Sequence, residues 1–371
     1  MILVLSLCGF GLVAIANARA KPYEGGETGI FALLASLDAH YVSLQAIWIG
    51  VGLALMMLVA VIDYKFFGEY WLYIYIATLA VLVMVLLLSE GVEGVKAWFQ
   101  FNVGDTVRMV QPAEFCKLAI VIVTARLATR DGVPIARIRE LLPLFGYLAV
   151  PMALVVLQGE MGSVMVYIAV IVGVLFLSGT NWKLLVGMFA TGAVSLIPIW
   201  FVLNDFRRER ILSFFDPTLV SADARYQVEK SVLAIGSGRM TGKGLFSEDS
   251  MNQLSYVPVN HSDMIFSVTA EAIGFWGCLL LILAYVVLII RLFYLSAKTP
   301  DRFGSMLIAG VASMFLFQVF ENIAMTMGVM PVTGIPLPFL SYGGSAMLTN
   351  LMAIGLVQNV RMRPMKSYLI P

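Results

Sequence analysis

Charge is what this chain has least of. Only 13% of its 371 residues are Asp, Glu, Lys or Arg, against about 25% in an average soluble domain. The 24 basic and 23 acidic residues nearly cancel, to a net charge of +1. So neutral a chain does not present the basic footprint that a nucleic acid needs. Metal and disulfide chemistry are equally thin, with three cysteines and two histidines in all. Cys8, Cys116 and Cys278 fall singly inside apolar segments. That excludes a disulfide framework and a clustered zinc site, and leaves them as small apolar fillers. No repeat of 20–50 residues is evident either, so a solenoid is excluded.

Apolar length is what remains. The chain is 60% hydrophobic, and a single apolar run of about 18 residues is already a candidate span. Apolar segments fall at 2–17, 42–62, 70–88, 112–128, 141–157, 161–178, 183–203, 263–290, 303–326 and 343–360. They predict an all-α integral membrane protein, one polytopic domain over 1–371 with about ten transmembrane helices. The fourth segment is short and opens on polar residues, so it is the weakest of the set. The first is followed by Ala16-Asn17-Ala18, which mimics a signal-peptidase site. With no basic region before it and many spans after it, it reads as a retained helix.

Orientation follows from basic residues in short loops. With a cytoplasmic N-terminus, the inner loops and tail hold Lys65, Arg126, Arg130, Arg137, Arg139, Lys183, Arg291, Lys298, Arg302, Arg361, Arg363 and Lys366. The outer loops then hold only Arg19, Lys21, Lys96 and Arg108. Both termini are therefore expected in the cytoplasm, with a large loop, 204–262, outside the membrane between the seventh and eighth helices. That loop is basic, with Arg207, Arg208, Arg210, Arg225, Lys230, Arg239 and Lys243. Its glycines, Gly236, Gly238, Gly242 and Gly244, suggest a phosphate-binding loop. The pattern fails, because Ser237 stands where the first glycine belongs and Gly244 where Ser or Thr would hold Mg²⁺. Flexible turns are the better reading.

Ionisable groups at membrane depth cost at least ~2.5–3.5 kcal/mol on insertion scales and so mark sites by default. Glu114 and Lys117 follow Gln111-Pro112 and share a helix face at i, i+3. They suit either a structural ion pair or the wall of a polar cavity for an anionic ligand. Asp263 follows His261 and Ser262 where the large loop enters the eighth span. Partial desolvation there would raise its pKa and suit a general base; a helix N-cap is the plainer role. Glu271 lies two turns deeper. Gln318, Glu321 and Asn322 share one face of the ninth span, a pattern that also glues helices together in lipid. Glu160 marks the tight outer turn between the fifth and sixth spans. From Pro331 to Ser345, proline and glycine are too dense for a helix, and irregular backbone at that depth must be buried by protein or meet a wet cavity.

Together these residues resemble the shape, elongation, division and sporulation (SEDS) family of bacterial cell-wall polymerases. The resemblance runs through Gly94-Val95-Lys96-Ala97-Trp98, Gln111-Pro112-Ala113-Glu114 with Lys117, and Gln158-Gly159-Glu160-Met161-Gly162. It continues through Arg210-Ile211, Asp216-Pro217, Tyr226-Gln227, Ala234 to Gly238, Gly242-Lys243-Gly244, and Pro258 with His261-Ser262-Asp263. Glu271, Asn322 and the Pro331 to Ser345 loop complete it, and Gly334-Ile335-Pro336-Leu337-Pro338 is similar to the elongation (RodA) branch. Departures from the pattern are Ala97, Ala113, Val259, Ser262 and Ala272, where many members carry Arg, Ser, Glu, Thr and Glu.

The resemblance implies ten spans in the bacterial cytoplasmic membrane and polymerisation of lipid II into glycan strands during elongation. It implies a class B penicillin-binding protein as partner. Asp263 would be the base for the acceptor's sugar 4-hydroxyl. Lys96, Lys117, Arg210 and Lys243, alone or with a divalent cation (Mg²⁺ or Mn²⁺), would neutralise the leaving undecaprenyl pyrophosphate. Glu114, Glu160, His261, Glu271, Gln318 and Asn322 would support substrate or site. Small residues Gly304, Ser305, Ala309, Gly310, Ala312 and Ser313 in the ninth span suggest a docking stripe for the partner's anchor helix. The rival classes are a transporter, such as a lipid II flippase, and a scaffold. A transporter commonly shows inverted repeats with paired broken helices, and none is evident.

Overall fold

A computed structural model describes residues 1–20, 39–89, 91, 95–103, 106–130, 132, 134–202, 222–247, 250 and 261–363. It is overwhelmingly helical. In chain order the elements are α1 (Ile2–Arg19), α2 (Ala39–Val61), α3 (Tyr64–Glu69), α4 (Trp71–Leu88), strands β1 (Phe99–Val103) and β2 (Thr106–Val110), and α5 (Pro112–Ala128). Then follow α6 (Ile138–Gln158), α7 (Met161–Leu177), α8 (Trp182–Val202), α9 (Ala222–Ser237), α10 (Ile265–Lys298), α11 (Arg302–Thr326) and α12 (Gly344–Met362). Among the described residues, six of these helices (α1, α2, α4, α6, α10 and α11) are long and apolar enough to cross a membrane. Each of the ten apolar segments read from the sequence lies on a helix. In lipid a helix satisfies every backbone group within itself, which is why apolar length becomes helix here.

The chain divides into two compact units. The second comprises Gly50–Val194, Ile289–Phe317 and Gly344–Pro371, and α5 is its most enclosed helix. Pro112 starts α5 at a position where a missing N–H costs nothing, and Ala113, Val121, Val123 and Ala125 are wholly buried. The fourth segment is therefore weakly apolar because it lies among other helices rather than against lipid. Helix α6 ends at Gly159, whose φ of 101° gives the left-handed C-cap that turns the chain into α7. Strands β1 and β2 pair antiparallel, Phe99 opposite Val110 and Phe101 opposite Arg108. Asn359 accepts from the Tyr64 N–H at 3.0 Å and donates to the carbonyls of Val59 and Ile62, so α12 caps the end of α2.

The small residues of α11 are spent inside this unit. Ala309 and Ala312 have no exposed surface. A Cβ on Gly310 would meet Val121 of α5 and Val174 of α7, and one on Gly173 would strike Ser313. The expected docking stripe is thus a seam between the chain's own helices, where small side chains allow close packing.

The first unit comprises Met1–Ile49, Ser195–Leu288 and Gln318–Gly343. Helix α1 belongs to its core: Val4, Leu7, Cys8 and Ile15 are buried, and Gly11 packs against the backbone at Phe339 and Leu340. Asn17, from the apparent cleavage motif, accepts from the Phe246 N–H at 2.6 Å. Helix α10 is broken at Gly274 (φ 66°, ψ −169°) into a short N-terminal half, Ile265 to Ile273, and a long C-terminal one.

The segment after α11 is irregular, and its interior is buried, with Ile335, Leu337, Phe339 and Leu340 at 2% exposure or less. Its polar backbone is satisfied by side chains. Ser341 Oγ accepts from the Leu337 N–H, the Tyr285 hydroxyl donates to the Pro338 carbonyl, and Gln45 bridges Ser341 and Gly343. Protein burial is thus what lets this backbone leave the helix.

Candidate active site

Within the first unit, three segments meet at Asp263. The turn from His261 to Met264 leads into the short half of α10, with Ser267 Oγ donating to the Met264 carbonyl at 2.7 Å. Met264 immediately precedes Ile265, the first helical residue of α10. Asn322 of α11 donates through Nδ2 to the Asp263 carbonyl at 2.9 Å and to the Ile335 carbonyl at 2.8 Å. One buried amide thus ties the aspartate's backbone to the loop after α11. Gly334, at φ 73°, carries that loop past the carboxylate: a Cβ there would lie 3.4 Å from Asp263 Oδ2. Thr333 donates to Glu321 Oε1 at 3.0 Å and fixes the loop one residue earlier. Ser341 Oγ donates to the Ser262 carbonyl at 2.7 Å, and the Tyr342 N–H donates to the His261 carbonyl at 2.9 Å. Asp263, half-buried, therefore stands in a frame whose backbone is held from both sides.

Rings gather beside it. Tyr41, His261 and Tyr342 lie with centroids 5.1 to 5.5 Å apart, and the Arg19 guanidinium sits 4.2 Å from the Tyr41 centroid. Tyr41 and Gln45 escaped the sequence reading. Gln45, an amide inside an apolar run, carried a usable signal; Tyr41 looks like any interfacial aromatic.

Two further sequence candidates pair with one another. Lys243 Nζ lies 2.7 Å from Glu271 Oε1, which also accepts from Ser237 Oγ at 2.8 Å. Among the described residues, Gln318 is fully buried with neither side-chain polar atom bonded.

The second unit holds the other group. Lys117 Nζ lies 2.5 Å from Glu114 Oε1, with both residues at 3% exposure or less. The pair forms as the i, i+3 spacing suggests, and among the described residues Glu114 Oε2 is buried with no hydrogen-bond partner. Glu160, in the turn between α6 and α7, accepts from Ser163 at 3.4 Å. Burial, then the nearby Glu114 carboxylate, pushes the Glu160 pKa up to about 8, with Lys117 and Ser163 opposing. The Tyr167 hydroxyl donates to the Ala113 carbonyl at 2.7 Å, and the Lys96 N–H donates to the Gln158 carbonyl at 2.9 Å. Arg210, with Asp216, Pro217 and Pro258, lies outside the described residues.

A helical membrane protein with a carboxylate framed at the mouth of a broken helix is the class that fold and site define. The family profile described as "Cell cycle protein", which joins FtsW, RodA and SpoVE, matches residues 1–366. The chain belongs to this SEDS family and is a RodA-like member of it. It is 33% identical over 314 residues to "Peptidoglycan glycosyltransferase MrdB" of Escherichia coli K12, covering 84% of this chain and 83% of that relative. Identity to "Stage V sporulation protein E" of Bacillus subtilis is 29% over 366 residues, covering 97% and 95%. Among solved structures, one described as "Structural coordination of polymerization and crosslinking by a peptidoglycan synthase complex" aligns at TM-score 0.79 and 28% identity, covering 98% and 97% of the two chains. The rod shape determining protein RodA of Thermus thermophilus aligns at 0.69 and 26%, covering 98% and 96%.

Proposed function

We propose that this chain is a peptidoglycan glycosyltransferase of the bacterial inner membrane, polymerising lipid II during cell elongation, with Asp263 as general base. The observation that carries the reading is the frame around Asp263: its carbonyl held by Asn322 and its carboxylate faced by the backbone at Gly334. A base must be held within hydrogen-bond reach of the proton it removes, and this frame holds the backbone of Asp263 while leaving the residue half-exposed.

In the step proposed, Asp263 takes the proton of the acceptor's sugar 4-hydroxyl. The oxygen bonds to the anomeric carbon of the donor sugar as that carbon's bond to pyrophosphate breaks. The proton then passes from the carboxylic acid to the departing pyrophosphate or to water, and the carboxylate is restored.

Lys96 and Arg210 keep the pyrophosphate-neutralising role that the family resemblance implies, and Lys117 pairs with Glu114. Among the described residues no three His, Cys, Asp or Glu side chains converge as a metal cage. A Mg²⁺ or Mn²⁺ ion bound with the substrate would supply charge neutralisation at its phosphates. Ten spans, cytoplasmic termini, an extracytoplasmic loop over 204–262 and a class B penicillin-binding protein as partner belong to the same proposal. Its support is the family, the ten apolar segments that lie on helices and the loop charges.

The test is purified protein in liposomes supplied with lipid II and a divalent cation. Wild type is expected to make glycan strands and Asp263→Ala none, while both insert and purify alike. Polymer from the alanine variant at near wild-type rate would overturn the base assignment. Lipid inversion without polymer from wild type would move the protein to the transporter class.

A further inference from the structure

The break in α10 is filled by the chain's own backbone. A helix interrupted at Gly274 leaves carbonyls and N–H groups that neither half can satisfy, and at membrane depth water does not replace them. The strap that follows α9, residues 238–244, supplies the partners. The N–H groups of Lys243 and Gly244 donate to the carbonyls of Glu271 and Ala272 at 2.9 and 3.0 Å. From the other side of the break, the N–H groups of Phe275 and Trp276 donate to the carbonyls of Arg239 and Met240 at 2.9 and 3.2 Å. Glycine is required for so close an approach. A Cβ on Gly238 would strike the Ala270 carbonyl, one on Gly242 the Ala272 carbonyl, and one on Gly274 the Gly242 nitrogen. At the centre, Glu271 is 1% exposed and takes Lys243 Nζ and Ser237 Oγ on the same oxygen, whereas Lys243 remains 28% exposed.

From this we propose that Lys243 and Glu271 form a latch that locks the strap into the helix break and so orients the half-helix carrying Asp263. Lys243 is then a positioning residue for the reaction and not a ligand of pyrophosphate. The role rests on the polymerase reading. Glu271 lies two turns along the half-helix from Asp263, so tilt or slip at the break moves the carboxylate relative to Gly334 and Asn322. Loss of Lys243 alone would remove the cation paired with a buried carboxylate, which is the disruptive half of breaking such a pair. Removing both charges together removes that cause, and the backbone bonds of the strap remain.

The experiment compares Lys243→Met, Glu271→Gln, their double variant and Lys243→Arg in the lipid II assay, with hydrogen exchange followed at residues 243–244 and 275–276. Expected is a fall of at least tenfold in kcat for Lys243→Met with little change in KM, and loss of protection at those amides. The double variant should recover both kcat and protection to within a few-fold of wild type, and Lys243→Arg should retain them. A double variant as inactive as Lys243→Met, with raised KM and intact protection, would overturn the latch and make Lys243 a substrate ligand. Exchange reads the latch even without polymerisation: an inactive wild type overturns the polymerase reading alone, while unchanged protection in Lys243→Met overturns the latch.

Discussion

Glu114, Lys117 and Glu160 show what a single residue can and cannot disclose. The i, i+3 spacing of the first two is a helix-face signal, and they meet at 2.5 Å. Their influence on Glu160 comes from another turn of the chain and carries no local mark. Because Glu160 sits outside both flanking helices yet is held at about 8 against an ordinary 4.5, the fold keeps a proton that the unfolded chain releases. The sign follows from that difference. This stabilisation is complete below about 4.5 and is lost as pH rises through about 8. Thermal unfolding in detergent across that window should therefore fall with pH in wild type and be flatter in Glu160→Gln, whose amide never ionises. Equal slopes in the two proteins would mean that Glu160 is already charged at the acid end.

At the scale of elements, glycine gives the clearest contrast. Gly236 and Gly242 look alike in the sequence, as steps in a glycine-bearing stretch that reads as flexible turns. Their settings differ. Gly236 is helical with nothing within 4 Å of an added Cβ, whereas Gly242, at φ 81°, has the Ala272 carbonyl where a Cβ would go. Gly236→Ala should be neutral or stabilising by up to about 1 kcal/mol, the helix-propensity gain. Gly242→Ala should destabilise by about 1–3 kcal/mol from overpacking alone, with left-handed backbone adding about 1–2. Unfolding midpoints of the purified variants check this, and equal shifts would show that the strap does not dock in the break.

For the whole molecule, the ten apolar segments and the basic bias of one set of loops predict cytoplasmic termini. Single cysteines on a background lacking the three native ones report it. Phe101→Cys, half-exposed on the β1–β2 hairpin, should react with an impermeant maleimide in intact spheroplasts. Phe66→Cys, equally exposed in α3, should react only after permeabilisation. The reverse pattern would invert the protein.

Hydropathy by itself determined the membrane class and set each apolar segment on a helix, because a backbone in lipid has so few ways to satisfy itself. It also made Asp263 visible as a candidate, since a carboxylate beside a span is costly. The proline and glycine from Pro331 onward marked the irregular loop, which ends at Gly343, just before α12 begins. Which polar groups meet was decided only in three dimensions. Lys243 and Glu271 are 28 residues apart, and Asn322 and Asp263 59. The small residues of α11, which read as a partner's docking stripe, turned inward onto α5 and α7. A helix that is apolar all round carries no amphipathic stripe to say which face is buried. Facing, and with it the pairing of the few charges, is therefore left to the packing of the helices against one another.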